Sequence, residues 1–232
     1  LKTELKPKIL YFFLIFLFFS YLPLGHASLC QYHFSASGHS KQDYYRNFTD
    51  LSGTEKEGLD FRIVEQDRDQ PVTIIAPHGG KIEPGTSEVA TAIAASDFNL
   101  YLFEGIKPDG HDNFILHITS ANFDEPRALA IMRKSYFGIS IHGFIEDHLE
   151  IVEVGGANLV IAASIVKALN AIGIATVFPS KRYPGQHPQN IVNQAKNNGV
   201  QLEISTKLLQ QLVENRDRLT EFSRAIRGAP LN

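Results

Sequence analysis

From Phe61 onward the chain alternates short β-branched runs with longer helical patterns, and that alternation restricts it to a layered α/β fold. Phe61 to Glu65, Val72 to Ala76 and Asn99 to Phe103 read as strands, with Thr86 to Ala95 between the last two as a helix whose N-cap is Thr86 or Ser87. Ile115 to Ile118 reads as a further strand, Pro126 to Lys134 as a helix opened by proline, and Phe137 to Ile141 as a strand. Asn158 to Ile172 has the apolar period of a helix and stops at Gly173. Ala175 to Phe178 and Val200 to Ile204 return to strand, and Thr206 to Leu212 and Asn215 to Ile226 close the chain as helix. The expectation is one α/β domain with a mixed or largely parallel sheet flanked by helices, and a ligand site beyond the carboxyl ends of the strands.

The first residues follow a different rule. Lys2, Lys6 and Lys8 precede an apolar run from Ile9 to Leu22, shorter than the roughly 20 residues that span a bilayer, and Gly25-His26-Ala27 supplies small residues before a cut. Residues 1–27 therefore read as a signal peptide, 28–43 as a flexible polar leader, and 44–232 as the folded domain, secreted or periplasmic and without stable membrane insertion once the signal is removed. The formal net charge is −3, and loss of the basic leader makes the remainder more acidic, which argues against nonspecific nucleic-acid binding. Cys30 is the single cysteine, so any metal must be held by histidine and carboxylate. Its place after an apolar run raises lipidation, although Leu29 stands where a small residue is wanted.

The segments that follow the strands hold the reactive side chains. Val72 to Ala76 runs into Pro77-His78-Gly79-Gly80-Lys81-Ile82-Glu83-Pro84-Gly85, where the glycines allow a tight turn and Glu83 can swing back toward His78. Phe137 to Ile141 ends at His142-Gly143, an equivalent place for a second imidazole. Two imidazoles and a carboxylate leave one position of a zinc ion open for water, the arrangement of a catalytic site rather than a structural one. Taken singly, each histidine reads more simply as a hydrogen-bonded structural residue; their shared position relative to strands favours the metal.

Such a site needs a base and a group for the developing oxyanion. Glu203, in Val200-Gln201-Leu202-Glu203-Ile204, is the candidate base if its strand faces a cleft, and a surface residue if that strand is a half-exposed edge. Arg127 can polarise a carbonyl or grip a carboxylate, or simply support the helix it begins. His117, in Leu116-His117-Ile118-Thr119-Ser120, can reach the cleft as a substrate contact or as a partner of a ligand, whereas His111 and His148 sit in polar loops. Gly155-Gly156-Ala157 before a helix is a weak anion-site signal.

The run Ile75-Ala76-Pro77-His78-Gly79-Gly80-Lys81-Ile82-Glu83-Pro84-Gly85-Thr86-Ser87-Glu88 resembles the signature of the poly-γ-glutamate hydrolase family. Phe103-Glu104-Gly105, Leu116-His117-Ile118-Thr119-Ser120, Asn122-Phe123-Asp124-Glu125-Pro126, Ser140-Ile141-His142-Gly143, Asn190-Ile191-Val192-Asn193 and Val200-Gln201-Leu202-Glu203-Ile204 resemble its other motifs in the same order, over about Tyr44 to Leu212. The resemblance implies a zinc carboxypeptidase-like fold, often of bacteriophage origin, that cuts the γ-amide links of poly-γ-glutamate. By position it implies Zn2+ on His78, Glu83 and His142, and a base on Glu203. A polyanionic substrate would need a local basic patch, for which Lys81, Arg127, Lys181 and Arg182 are candidates, with His117 and Asn122 as further substrate contacts. The alternatives are a carboxypeptidase or amidase of cell-wall peptides, and a non-catalytic module of the same fold that binds capsule or peptidoglycan.

Overall fold

The computed structural model describes residues 43–230. The expected signal peptide, Cys30 and all of the expected leader except Asp43 lie outside the described residues, which begin at Asp43, one residue before the expected start of the domain. In chain order the elements are α1 (Phe48–Ser52), β1 (Phe61–Gln66), β2 (Val72–Gly80), α2 (Thr86–Ala94), β3 (Asn99–Gly105), α3 (Pro126–Lys134), β4 (Phe137–Phe144), β5 (Ile151–Gly156), α4 (Leu159–Ala171), β6 (Ala175–Val177), β7 (Gly199–Ser205), α5 (Thr206–Glu214) and α6 (Arg216–Arg227). Short 3₁₀ turns cover Asn113–Leu116 and Ile191–Gln194.

The strands form one mixed sheet in the order β1-β3-β2-β4-β7-β5-β6. The four inner strands β3, β2, β4 and β7 run parallel, while β1 pairs antiparallel with β3, β5 pairs antiparallel with β7, and β6 pairs parallel with β5. The inner strands are buried along almost their whole length, as their continuous apolar runs require. On one face, Ile74, Leu102, Ile139, Ile141, Leu202 and Ile204 pack against α2, α4, α5 and α6 through Ile93, Ile165, Leu209 and Phe222. On the other, Ile75, Tyr101 and Phe103 pack against Leu51 of α1, Ile131 and Met132 of α3, and Leu116, Ile118 and Ile191.

From β2 the chain crosses through α2 to β3 on one side, and then returns through α3 to β4 on the other. The strand order therefore reverses between β2 and β4, and the crevice beyond their carboxyl ends is the place such a topology reserves for a ligand. His78 lies near the end of β2, and His142 near the end of β4.

Several expectations change in detail. Ile115 to Ile118 is not a strand: the Asp112 carboxylate accepts from Phe114 N–H, the His117 N–H returns to the Phe114 carbonyl, and the segment closes into a 3₁₀ turn. Ile151–Gly156 is a strand that the alternation did not suggest, and its glycines lie inside the sheet rather than at an anion site: a side chain on Gly155 would stand 2.3 Å from the Tyr183 carbonyl oxygen. Neither Thr86 nor Ser87 caps α2. The N-cap is Gly85, while Thr86 Oγ1 donates to the Glu83 carbonyl and Ser87 Oγ accepts from Gly80 N–H. Both hydroxyls are thus spent on holding the segment that carries His78 and Glu83.

Candidate metal centre

A bulge aims His78. Strand β2 pairs with β3 in regular register up to Ala76 and resumes at Gly79, with one extra residue on β2 in between, and a bulge of this kind re-aims a side chain at the end of a strand. Gly79 and Gly80 permit it by letting β2 approach β3: at Gly80, where φ is +62°, an added Cβ would stand 2.6 Å from the Gly105 carbonyl oxygen. The glycines serve strand-to-strand contact rather than approach to a ligand. Beyond them the Glu83 N–H bonds to the His78 carbonyl, which folds the loop back on itself.

Three side chains then converge. His78 Nδ1 lies 3.0 Å from Glu83 Oε1 and 3.1 Å from His142 Nδ1, and one ligand atom from each residue falls within 4.8 Å of the others. All three residues are buried. The other ring nitrogen of His78 faces the Ile118 carbonyl at 2.8 Å; a carbonyl only accepts, so Nε2 carries a hydrogen. His142 Nε2 faces Ser120 Oγ at 3.3 Å, and the second oxygen of Glu83 accepts from Gly143 N–H. Both imidazoles therefore turn Nδ1 toward one point, held from behind by partners of the kind that orient metal-binding histidines.

The electrostatics have a single economical solution. Burial would push His78 down, but the charge and hydrogen bond of Glu83 and the Ile118 carbonyl hold it above its ordinary value. Burial would raise Glu83, yet the facing histidines, His78 first, pull it down to about 2. His142 is pushed down to about 3 by burial and then by the charge on His78. One proton on His78 Nδ1, shared with a carboxylate and a second lone pair, satisfies the cluster, and a cation at that point does the same. Donors about 2.0 Å from a tetrahedral zinc ion stand about 3.3 Å apart, close to the two separations at His78 Nδ1, while His142 Nδ1 and Glu83 Oε2 stand wider at 3.8 Å. The donor set of two imidazoles and one carboxylate fits zinc.

The depressed His142 makes stability depend on pH in a known direction. Its folded value is below its unfolded one, so the unfolded chain binds more protons between about 6.5 and about 3, and stability is lost as pH falls through that window. In metal-free protein the wild type should lose stability relative to His142→Asn by about 1.4 kcal/mol per pH unit below pH 6.5, measured by denaturant unfolding at successive pH values. A constant difference would contradict the assignment.

Glu203 sits beside this cluster. Strand β7 is interior, not an edge, and Glu203 pairs in register with His142 on β4, so the two share a sheet face. Burial, and then the charge of Glu83, holds its carboxyl well above the usual range. Gln201 donates to Oε1 at 2.9 Å and is itself fixed by Asn190. His117 is also at the cluster: its ring lies 4.0 Å from that of His78, and its Nε2 is 3.8 Å from Glu83 Oε1.

The remaining predicted residues are spread more widely. Arg182 lies over the rings of Phe144 and Tyr183, two residues beyond His142 along β4, and bonds Glu153 at 2.7 Å. Lys81 bonds Asp109 and the Lys107 carbonyl, and Asn122 is exposed. Arg127 is not brought to the cluster; its guanidinium is taken up by both oxygens of Glu57 and by Glu125. Sequence reasoning missed Ser120, Glu153, Tyr183 and Asp43. Of these, only Glu153 carried a signal, as a charged residue set among Ile151, Val152 and Val154.

A sheet with its switch point at β2 and β4, and a buried two-histidine, one-carboxylate cluster in that crevice, define a layered α/β protein with a candidate metal centre. The profile of the poly-gamma-glutamate hydrolase family matches residues 45–225, and the chain belongs to that family. UPF0714 protein YndL of Bacillus subtilis (strain 168) is 41% identical over 174 residues, 74% of this chain and 67% of the relative. The SPbeta prophage-derived UPF0714 protein YoqZ of the same organism is 39% identical over 193 residues, 82% of this chain and 66% of the relative. The chain thus spans about two thirds of the length of these relatives. Among solved structures, a bacteriophage poly-gamma-glutamate hydrolase superposes with a TM-score of 0.76 at 32% identity, over 81% of this chain and 96% of that one. A zinc-free apo form of YndL superposes at 0.73 with 36% identity, over 80% and 96%.

Proposed function

We propose that this protein is an exported zinc-dependent hydrolase of γ-glutamyl amide bonds, with poly-γ-glutamate as its polymer. The convergence of His78, Glu83 and His142 carries the reading, supported by the family match and by the zinc-free description of the YndL structure. Export rests on the basic and apolar start of the chain.

Zinc bound by these three residues would supply Lewis acidity at the scissile carbonyl and bring the pKa of water toward neutrality. The protein side does the rest. Glu203 is buried on the same face, oriented by Gln201 through one oxygen, and its other oxygen accepts no hydrogen bond among the described residues; it takes a proton from the attacking water and returns it to the leaving nitrogen. The Arg182 fork, over Phe144 at the rim, grips a glutamate carboxylate in exchange for Glu153. His117, Asn122 and Lys81 are further contacts. Arg127, committed to Glu57 and Glu125, is set aside in favour of Arg182.

The test is a choice of polymers. Zinc-loaded protein should shorten poly-γ-glutamate chains, followed by size-exclusion chromatography, and leave α-linked polyglutamate at least about a hundredfold slower. Cleavage of cell-wall peptides instead would move the assignment to the peptidoglycan alternative, and binding without cleavage would leave only a recognition module.

A further inference from the structure

Asp43 stands at the beginning of the described chain, ahead of the residues matched by the family profile, yet it reaches the metal centre. Its Oδ1 accepts from His117 Nδ1 at 2.8 Å, and its Oδ2 accepts from Thr119 N–H at 2.7 Å. The His117 ring is held between two others, stacked on Phe114 at 4.9 Å and tilted 33° against His78 at 4.0 Å. With Nδ1 turned to Asp43, the remaining nitrogen points toward Glu83 Oε1.

The same short stretch serves all three histidines. The Ile118 carbonyl holds His78, Ser120 Oγ holds His142, and the Thr119 N–H anchors the carboxylate that holds His117. Each imidazole is thus fixed through one ring nitrogen by residues 117–120 or by Asp43 docked on them, and carboxylates and carbonyls in this position set the orientation of metal-binding histidines.

We propose that Asp43 is a positioning residue of the metal centre: by locking His117 against the face of His78 it fixes the ligand that both Glu83 and His142 meet, and it fastens the chain's N-terminal segment to metal binding. The proposal rests on the zinc reading of the His78–Glu83–His142 cluster. By linkage, whatever Asp43 adds to metal affinity the metal returns as stability of the Asp43 contact. Arg46, three residues on and 87% exposed at its side chain, is a tryptic site that reports this.

Full-length wild type, Asp43→Asn and His117→Phe should be compared by zinc titration against a chelator of known affinity, and by the rate of tryptic cleavage at Arg46 with and without zinc. His117→Phe keeps a ring against His78 and removes the nitrogens. Asp43→Asn should bind zinc about tenfold to a hundredfold more weakly, with the melting temperature of the metal-free form close to wild type. Zinc should slow cleavage at Arg46 in the wild type and not in Asp43→Asn. His117→Phe should reproduce the loss of protection, since the tether is gone while the packing remains. Wild-type zinc affinity in Asp43→Asn, or equal protection in all three proteins, overturns the proposal and leaves the zinc reading in place. Failure of the wild type itself to bind zinc overturns both.

Discussion

Glu203→Gln should lower kcat for γ-glutamyl hydrolysis by about two to four orders of magnitude while zinc remains bound. The substitution keeps the shape of the side chain and an oxygen for the Gln201 amide, and removes only the capacity to carry a proton. A second effect of opposite sign accompanies it. The folded carboxyl is held above its unfolded value by burial and by Glu83, so the folded state binds the extra proton, and stability falls as pH rises from about 4.5 through the raised value. An amide has no such dependence. Metal-free Glu203→Gln should therefore be more stable than wild type at neutral pH, a direction that denaturant unfolding reads directly. Loss of activity with gain of stability marks a residue held for chemistry rather than for the fold; unchanged hydrolysis would remove Glu203 from the reaction.

His78→Ala should abolish zinc binding and lower hydrolysis on the order of a thousandfold or more. His78 is the hub of the cluster, since Nδ1 alone meets both Glu83 and His142 within 3.1 Å. Without it, Glu83 loses the partner that contributes most to its low pKa, and a buried carboxylate is left without the hydrogen bond from His78. His142→Ala should also release zinc but leave the His78–Glu83 pair intact, so its metal-free form should retain more stability than that of His78→Ala. The order of the two is checked by thermal unfolding in chelator.

The inner sheet is legible because strands buried on both faces must be apolar almost throughout, and the runs ahead of His78 and His142 satisfy that. Both histidines follow from the rule that sites lie at strand ends, and Glu203 from the cost of an acidic residue inside an apolar strand. For Glu203 the pattern left two readings, since one strand shows nothing of its neighbours; pairing with β4 and β5 on either side is a property of the sheet alone. The partners of Arg127 are hidden for a similar reason, because Glu57 lies 70 residues away and claims its guanidinium from another part of the fold. Asp43 meets His117 across 74 residues and falls in a stretch that composition marks as leader, so no local signal announces it. The 3₁₀ turn at Asn113–Leu116 escaped because a side-chain cap outweighed the β propensity of an apolar run.

The most direct test of the zinc centre is the zinc content of purified protein after dialysis against dilute zinc and then zinc-free buffer, by elemental analysis, for wild type and His78→Ala. One zinc per chain in the wild type and none in the variant is the predicted result. Equal zinc in the two proteins, or none in either, would contradict it.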